Sequence, residues 1–243
     1  MSDLTVPSAL KGQKVDLTAE EIHIWVLYLP ELKSKFDALY SFLAVEEKAK
    51  ADMFRKDVDR SQYILTRVGL RYLLGMYVDE NPEKIVITYN KWGKPQLEQR
   101  YSLNFSLSHS VDYSLIAFTK SCEIGVDIEF INPNLNVDEL VSVFLNPSEF
   151  DSWQDVPMQQ KTEYFYKLWV GKEAFIKALG KGWLEREETI NSLTILPNKL
   201  VSQPEGVLKT PQGTLHYFNI VPQYESAFFS NGHSLKRRII NFL

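Results

Sequence analysis

The 243-residue sequence predicts an α+β fold made of two similar halves in tandem, residues 1–120 and 121–243. Two observations predict it. Apolar residues recur with period two in some segments and with the helical period of about 3.6 in others. The order of those segments before Lys120-Ser121 is repeated after it, with first strands and long helices each offset by about 100 residues. The repetition lies in element order and not in residue identity, so on this ground alone coincidence stays open.

In the first half, Ile22 to Leu29 (IHIWVLYL) reads as a buried strand that Pro30 ends. Phe36 to Phe54 reads as a helix, with Leu39, Phe42, Leu43 and Val45 inward and Glu46, Glu47, Lys48, Lys50, Arg55 and Lys56 outward. Asp59 is placed as the cap of a second helix reaching Val78, on the spacing of Tyr63, Leu70, Leu73 and Leu74. Asn81-Pro82 stops it. A short strand from Ile85 to Tyr89 leads into a turn at Trp92-Gly93-Lys94-Pro95. Strands from Leu103 to Leu107 and from Tyr113 to Thr119 follow, joined by Ser108 to Asp112. The second half starts with a strand from Glu123 to Phe130 and a loop-and-helix region with two prolines. After them come the long helix within Phe165 to Gly182, closed by Gly180 and Gly182, and strands near Thr189 to Leu196, Thr214 to Val221 and Ser226 to Ser230.

Hydrophobic residues at 44% and charged residues at 24% give the chain a core to bury, and place it among folded proteins. Its net charge of -4 argues against general nucleic-acid binding, which needs a basic surface to displace counterions from phosphates. The single Cys122 excludes an internal disulfide and a cysteine-based zinc cluster, fits a reducing compartment, and reads as a small apolar filler. The polar, acid-bearing first residues lack the layout of a secretion signal, and no apolar run reaches the roughly 18 residues of a membrane span. The expected compartment is the cytoplasm, with no membrane partner.

Two segments carry the chemistry. In FYKLWVGKEAFIKALGKG, Phe165, Leu168, Trp169, Phe175, Ile176 and Leu179 form an apolar stripe, and Glu173 and Lys177 lie one turn apart along its edge. An acid and a base so placed serve either as a surface ion pair or as charge presented to a cleft. In EIGVDIEF the alternation sends Ile124, Val126, Ile128 and Phe130 one way and Gly125, Asp127 and Glu129 the other. The two acids, about 6.6 Å apart along the strand, repel unless water or a cation lies between them. Gly125 leaves room for something to approach the backbone. If the helix packs across this strand, three carboxylates converge beside Lys177. Hard oxygen donors of that kind select Mg²⁺, and acids for a metal with a lysine for phosphates suffice for phosphoryl transfer.

The set NFSLSHS (Asn104 to Ser110), GVDIEF (Gly125 to Phe130) and FYKLWVGKEAFIKALGKG, with Trp92-Gly93-Lys94-Pro95 as an accessory, closely resembles the Sfp-type 4′-phosphopantetheinyl transferases. The likeness runs from about Glu46 to Ile195 in the family's order. It implies a pseudo-two-fold pair of α+β units, each a long helix on a small, mostly antiparallel sheet, with the active-site cleft between them. It implies transfer of the phosphopantetheine arm of coenzyme A to a serine of an acyl or peptidyl carrier protein, with release of adenosine 3′,5′-bisphosphate. By the same resemblance Asp127, Glu129 and Glu173 hold Mg²⁺, or Mn²⁺ in its place, and Glu173 doubles as general base. Lys177 stabilises the leaving phosphate, while Lys50, Lys94, Ser108 and His109 contact coenzyme A. A monomer is implied, because joined halves supply the cleft that shorter relatives make by oligomerising.

Gly171 stands where relatives usually carry Ser, Ala or Thr, which predicts a locally softer helix. Arg60-Ser61 stands where a basic residue often meets the 3′-phosphate, and Trp183 where leucine is usual. Trp169 is expected in the core. Carrier docking is expected on Leu135, Val137, Leu140 and Phe144. Two rival functions remain at this level: a magnesium-dependent nuclease, and a non-catalytic binder of coenzyme A or of the carrier.

Overall fold

The computed structural model describes residues 14–33, 40–142, 144–182, 192–196, 205–232 and 235–242. In chain order these form β1 (Glu21–Tyr28), α1 (Leu29–Lys33), α2 (Val45–Ala51), α3 (Asp57–Val78), β2 (Ile87–Tyr89), β3 (Pro95–Leu97), β4 (Asn104–Ser110), β5 (Tyr113–Thr119) and β6 (Ile124–Phe130). Then come α4 (Val137–Val141), α5 (Pro147–Gln154), α6 (Met158–Leu179), β7 (Val207–Thr210), β8 (Gly213–Tyr217), β9 (Tyr224–Ser230) and β10 (Lys236–Asn241). The result is a mixed α+β fold with small sheets. One sheet runs β10-β1-β5-β4, the other β6-β9-β8-β7, and β2 and β3 pair as a separate hairpin.

Strand alternation builds the layers, because successive side chains point to opposite faces. Trp25, Leu27, Ile116 and Phe118 face outward from the first sheet into a cluster with Ile64, Val68 and Leu74 of α3. Ile22, Ile24, Val26, Leu115 and Ala117 face the other way and meet Ile124, Val126, Ile128 and Phe228 of the second sheet. Ala227 and Phe229 then face Phe165, Leu168 and Phe175 of α6. The layers therefore run α3, sheet, sheet, α6, and the central strands β1, β5 and β9 bury both faces.

The edge strands β4 and β6 lie side by side, bridged by serine side chains. Val126 N donates to Ser106 Oγ at 3.1 Å, and Phe130 N donates to Ser110 Oγ at 3.0 Å. Ser108 Oγ donates to Asp127 Oδ1 at 2.7 Å, and Ser110 Oγ to Glu129 Oε2 at 2.9 Å. The two carboxylates are thus held on the seam between the sheets, in β-conformation that any one-residue slip would turn away.

Several expectations change. The helix expected over Phe36 to Phe54 is α2 alone, preceded by a short 3-10 turn at Tyr40–Phe42, while residues 36–39 lie outside the described residues. Asp59 does not cap α3: the cap is Lys56, and Asp57 and Asp59 sit in the first turn, where acids suit the helix dipole. Ser108, His109 and Ser110 extend β4 instead of forming a loop, because β4 pairs with β5 as far as Ser110 opposite Tyr113. Of the strand expected from Thr189 to Leu196, residues 192–196 contain none and the rest lie outside the described residues. Three unexpected strands appear, β3, β7 and β10, the last parallel to β1 with Trp25 opposite Ile240.

Gly171 has a packing reason. A Cβ there would overlap the Tyr217 hydroxyl and stand 3.1 Å from Ile195 Cδ1, so glycine lets α6 press against β8 and its neighbours. Cys122 is buried with its thiol 3.7 Å from Thr119 Oγ1, a filler as expected.

Glu225 on β9 lies opposite Glu129 on β6 and is buried. Burial pushes its carboxyl up to about 7; Lys167 opposes that shift and Glu163 adds to it. Because the folded-state value lies above the unfolded one, the folded chain holds the proton through the window from ordinary carboxylate pH to about 7, and stability falls as pH rises across it. Glu225→Gln is therefore expected to flatten the fall in melting temperature between pH 5 and pH 8. An unchanged pH profile would refute this.

Candidate active site

A single hollow of about 380 Å³ is lined by Asp127 and Glu129 of β6, Glu173 and Lys177 of α6, Ser108 and His109 of β4, and Lys50 of α2. Tyr63, Thr66, Arg67, Tyr89, Gly93, Pro95, Leu107 and Trp169 complete the lining. The helix crosses β6 at Gly125, where an added Cβ would overlap the carbonyl oxygen of Ala174 and the amide of Ala178. That close approach is what Gly125 permits. It sets Glu173 and Lys177 over the strand face that carries Asp127 and Glu129.

Asp127 is 2% exposed. Its Oδ1 accepts from Ser108 Oγ at 2.7 Å and from Lys177 Nζ at 2.6 Å. Its Oδ2 has no hydrogen-bond partner among the described residues. Burial raises its pKa, against the pull of Lys177 and Ser108. Burial, and then the Asp127 charge, push Glu129 up to about 7, while hydrogen bonds from Ser110 and Trp169 work the other way. Burial disfavours the Lys177 ammonium, but Asp127 and Glu173 outweigh it and hold the pKa above the ordinary lysine value. Lys177 Nζ also donates to Ser108 Oγ at 2.9 Å. Acid, base and hydroxyl thus form one polar network facing an open space.

Two family models match successive stretches of the chain, and the three acids lie in the second. Residues 123–217 match the 4′-phosphopantetheinyl transferase superfamily, and residues 30–121 match the 4′-phosphopantetheinyl transferase N-terminal family. The 4′-phosphopantetheinyl transferase HetI of Nostoc sp. is 32% identical over 198 residues, which is 80% of this chain and 84% of that one. The chain belongs to the 4′-phosphopantetheinyl transferase superfamily. The match to the transferase psf-1 of Bacillus pumilus is 32% over 151 residues, 62% of this chain and 63% of that one. The transferase Sfp of Bacillus subtilis is 29% identical over 161 residues, 65% and 70% of the two chains.

In this transferase the sequence-named residues do not all share one place. His109 stands exposed at the rim of the hollow; surrounding protein, and then the Lys177 charge, hold its pKa below the usual histidine range. Ser108 points its hydroxyl at Asp127, not away from it. Lys94 lies outside the hollow. Its Nζ donates to Glu123 Oε2 at 2.7 Å and to the Ala178 carbonyl at 3.0 Å, although its neighbours Gly93 and Pro95 reach the lining. Arg60 is also elsewhere, paired with Asp52 at 2.9 Å. Trp169 is both wall and core: it borders the hollow, and its ring packs edge-on to Phe144 at 5.3 Å. Of the docking candidates, Val137 and Phe144 are buried in the core and Leu140 is exposed.

Of the rest of the lining, Lys50 was anticipated from the sequence and Arg67 was not. Arg67 of α3 is buried; its guanidinium donates to the Tyr89 hydroxyl, lies 3.4 Å from Glu47, and sits 5.8 and 5.6 Å from the ring centres of Tyr63 and Tyr89. Glu47 also pairs with Arg71. Lys50 Nζ stands 5.5 Å from the centre of the Tyr63 ring. Tyr63, Arg67 and Arg71 fall at helical spacing among Ile64, Leu65 and Val68, so the segment reads as an ordinary core face. The signal available was a buried-face helix carrying two arginines four residues apart.

Proposed function

We propose that this transferase moves the 4′-phosphopantetheine arm of coenzyme A to a serine hydroxyl of an apo acyl or peptidyl carrier protein. The observation that supports it most is the meeting of Asp127, Glu129, Glu173 and Lys177 on one hollow, with a buried Asp127 oxygen left unpaired among the described residues. The hollow is the cleft between two α+β units, each a 22-residue helix on a four-stranded sheet. The chain acts as a cytoplasmic monomer, and among the described residues no helix is long and apolar enough to cross a membrane.

The donor set fits magnesium or manganese. Among the described residues no three acids, histidines or cysteines are gathered closely enough to hold an ion as they stand. The chemistry is nonetheless right: all three acids offer hard oxygens, and the unpaired Asp127 Oδ2 needs a partner. Asp127, Glu129 and Glu173 would hold the ion. Bound there, it supplies positive charge to the pyrophosphate oxygens.

The remaining steps belong to the chain's own residues. The carrier serine oxygen attacks the pyrophosphate phosphorus nearest the pantetheine; that P–O bond forms as the bond to the bridging oxygen breaks, and adenosine 3′,5′-bisphosphate leaves. Glu173 takes the serine proton, directly or through water. The Lys177 ammonium, kept protonated by its acids, balances charge on the leaving phosphate. Arg67, Lys50 and His109 line the end that receives the nucleotide. Ser108 holds Asp127 in place.

Incubation with coenzyme A, Mg²⁺ and an apo carrier, followed by mass spectrometry of the carrier, tests the reading. Wild-type chain is expected to add one phosphopantetheine, and Glu173→Gln to lose the reaction by about 10²- to 10⁴-fold. Plasmid cleavage without a mass gain would favour a nuclease, and an unaltered rate in Glu173→Gln would remove its role as base.

A further inference from the structure

The β2–β3 turn touches both elements that carry the carboxylates. Lys94 Nζ donates to Glu123 Oε2, immediately before β6, and to the Ala178 carbonyl, in the last turn of α6. Asn90 Nδ2 donates to the Gly180 carbonyl at 2.8 Å, while Asn90 Oδ1 accepts from the amides of Trp92 and Lys94, both at 2.9 Å. Gly180 ends the helix in the left-handed region at φ 65°, and a Cβ there would stand 2.8 Å from Lys94 Cδ. The last carbonyls of a helix have no partners within it, and a cation at that end suits the dipole. Here one amide and one ammonium from a distant hairpin fill that need.

We propose that Asn90 and Lys94 are positioning residues, tying the end of α6 to the start of β6 and so setting how far Glu173 and Lys177 stand from Asp127. Lys177 adjoins Ala178, whose carbonyl Lys94 holds, and Ala178 also packs on Gly125 two residues before Asp127. The helix end is therefore gripped from two sides. Gly93 and Pro95 of the same turn border the hollow, so a substrate resting on the turn bears on the helix end through Asn90 and Lys94. This differs from a direct contact between the Lys94 ammonium and the phosphates of coenzyme A, since that ammonium is already shared between a carboxylate and a carbonyl.

The activity arm of the test rests on the transferase reading; the exchange arm does not. In steady-state transfer with coenzyme A varied, Lys94→Met and Asn90→Ala are expected to lower kcat by about 10- to 100-fold. In Lys94→Met and Asn90→Asp the KM for coenzyme A should change less than about twofold, since both keep the turn that borders the hollow. Lys94→Arg should restore much of kcat. Asn90→Asp keeps the acceptor inside the turn and loses the donor to Gly180, so it should behave like Asn90→Ala. Hydrogen exchange of residues 174–182, measured without substrate, should speed up in Lys94→Met and Asn90→Asp. A raised KM at unchanged kcat, or unaltered exchange in this segment, would overturn the proposal. Should Lys94→Met fail to fold, Asn90→Asp carries both comparisons. A wild-type chain inactive on every carrier would count against the transferase reading, while the exchange result still decides the clamp.

Discussion

Asp127→Asn is expected to reduce transfer by more than about 100-fold with only a modest change in stability. Groups that merely orient a metal ligand are worth about 10- to 100-fold, and Asp127 is expected to be a ligand itself. Asparagine keeps the shape and can still accept from Ser108 and Lys177, so the network survives. What it removes is a buried negative charge: the burial penalty on that charge is relieved, while Lys177 gives up one counter-ion and keeps Glu173. Loss of activity together with retained stability is the mark of a site maintained against the preference of the fold. Transfer rates and melting temperatures of the two proteins at pH 7 check it. A variant that transfers at the wild-type rate would take Asp127 out of the chemistry, and a large drop in melting temperature would make its role structural.

The largest stability effect is expected one residue before Glu173. Lys172 and Glu149 form an ion pair at 2.6 Å with both side chains buried, and Glu149 also accepts from the amides of Asn146 at 2.9 Å and Ile195 at 2.7 Å. Burial lowers the Lys172 pKa, and Glu149 offsets part of that effect. Lys172→Met leaves Glu149 charged and enclosed without its cation, which costs about 3–5 kcal/mol. In a domain of this size that corresponds to a fall in melting temperature on the order of 10 °C. Glu149→Gln combined with Lys172→Met should recover a large part of it, because the uncompensated charge is gone. Urea denaturation of the two variants distinguishes this from a packing defect: a double variant no better than the single one would show that the lost contacts, not the charge, matter.

The fold was legible where apolar residues keep a clear period. Strands β1, β5, β6 and β9 bury both faces and long helices α3 and α6 carry wide apolar stripes, so their existence and order can be read directly. KRRIIN of β10 and VLKT of β7 have too few apolar positions to announce a strand; pairing with β1 and β8 makes them strands. The full length of the β4–β5 hairpin was hidden because Ser108, His109 and Ser110 have loop-like chemistry, and the two serine hydroxyls serve the seam with β6 instead. In the hollow, the acids were visible because two carboxylates on one strand face are unusual. Lys94 was not separable from its neighbours by sequence: Gly93 and Pro95 reach the hollow while its own side chain turns toward the helix end. Gly171 illustrates the same limit, since a residue read for its local propensity is explained by Tyr217 more than forty positions later.

Pairing of β10 with β1 has a consequence for synthesis on the ribosome. Trp25 and Ile240, opposite each other, lie 215 positions apart (240 minus 25), so β1 leaves the exit tunnel long before its outer neighbour exists. Until then that border of the sheet presents bare amides and carbonyls, and Trp25 lacks the Phe242 ring that later packs edge-on against it at 6.2 Å. The nascent chain must carry an open, sticky margin until β10 has been made, and that strand then seals it.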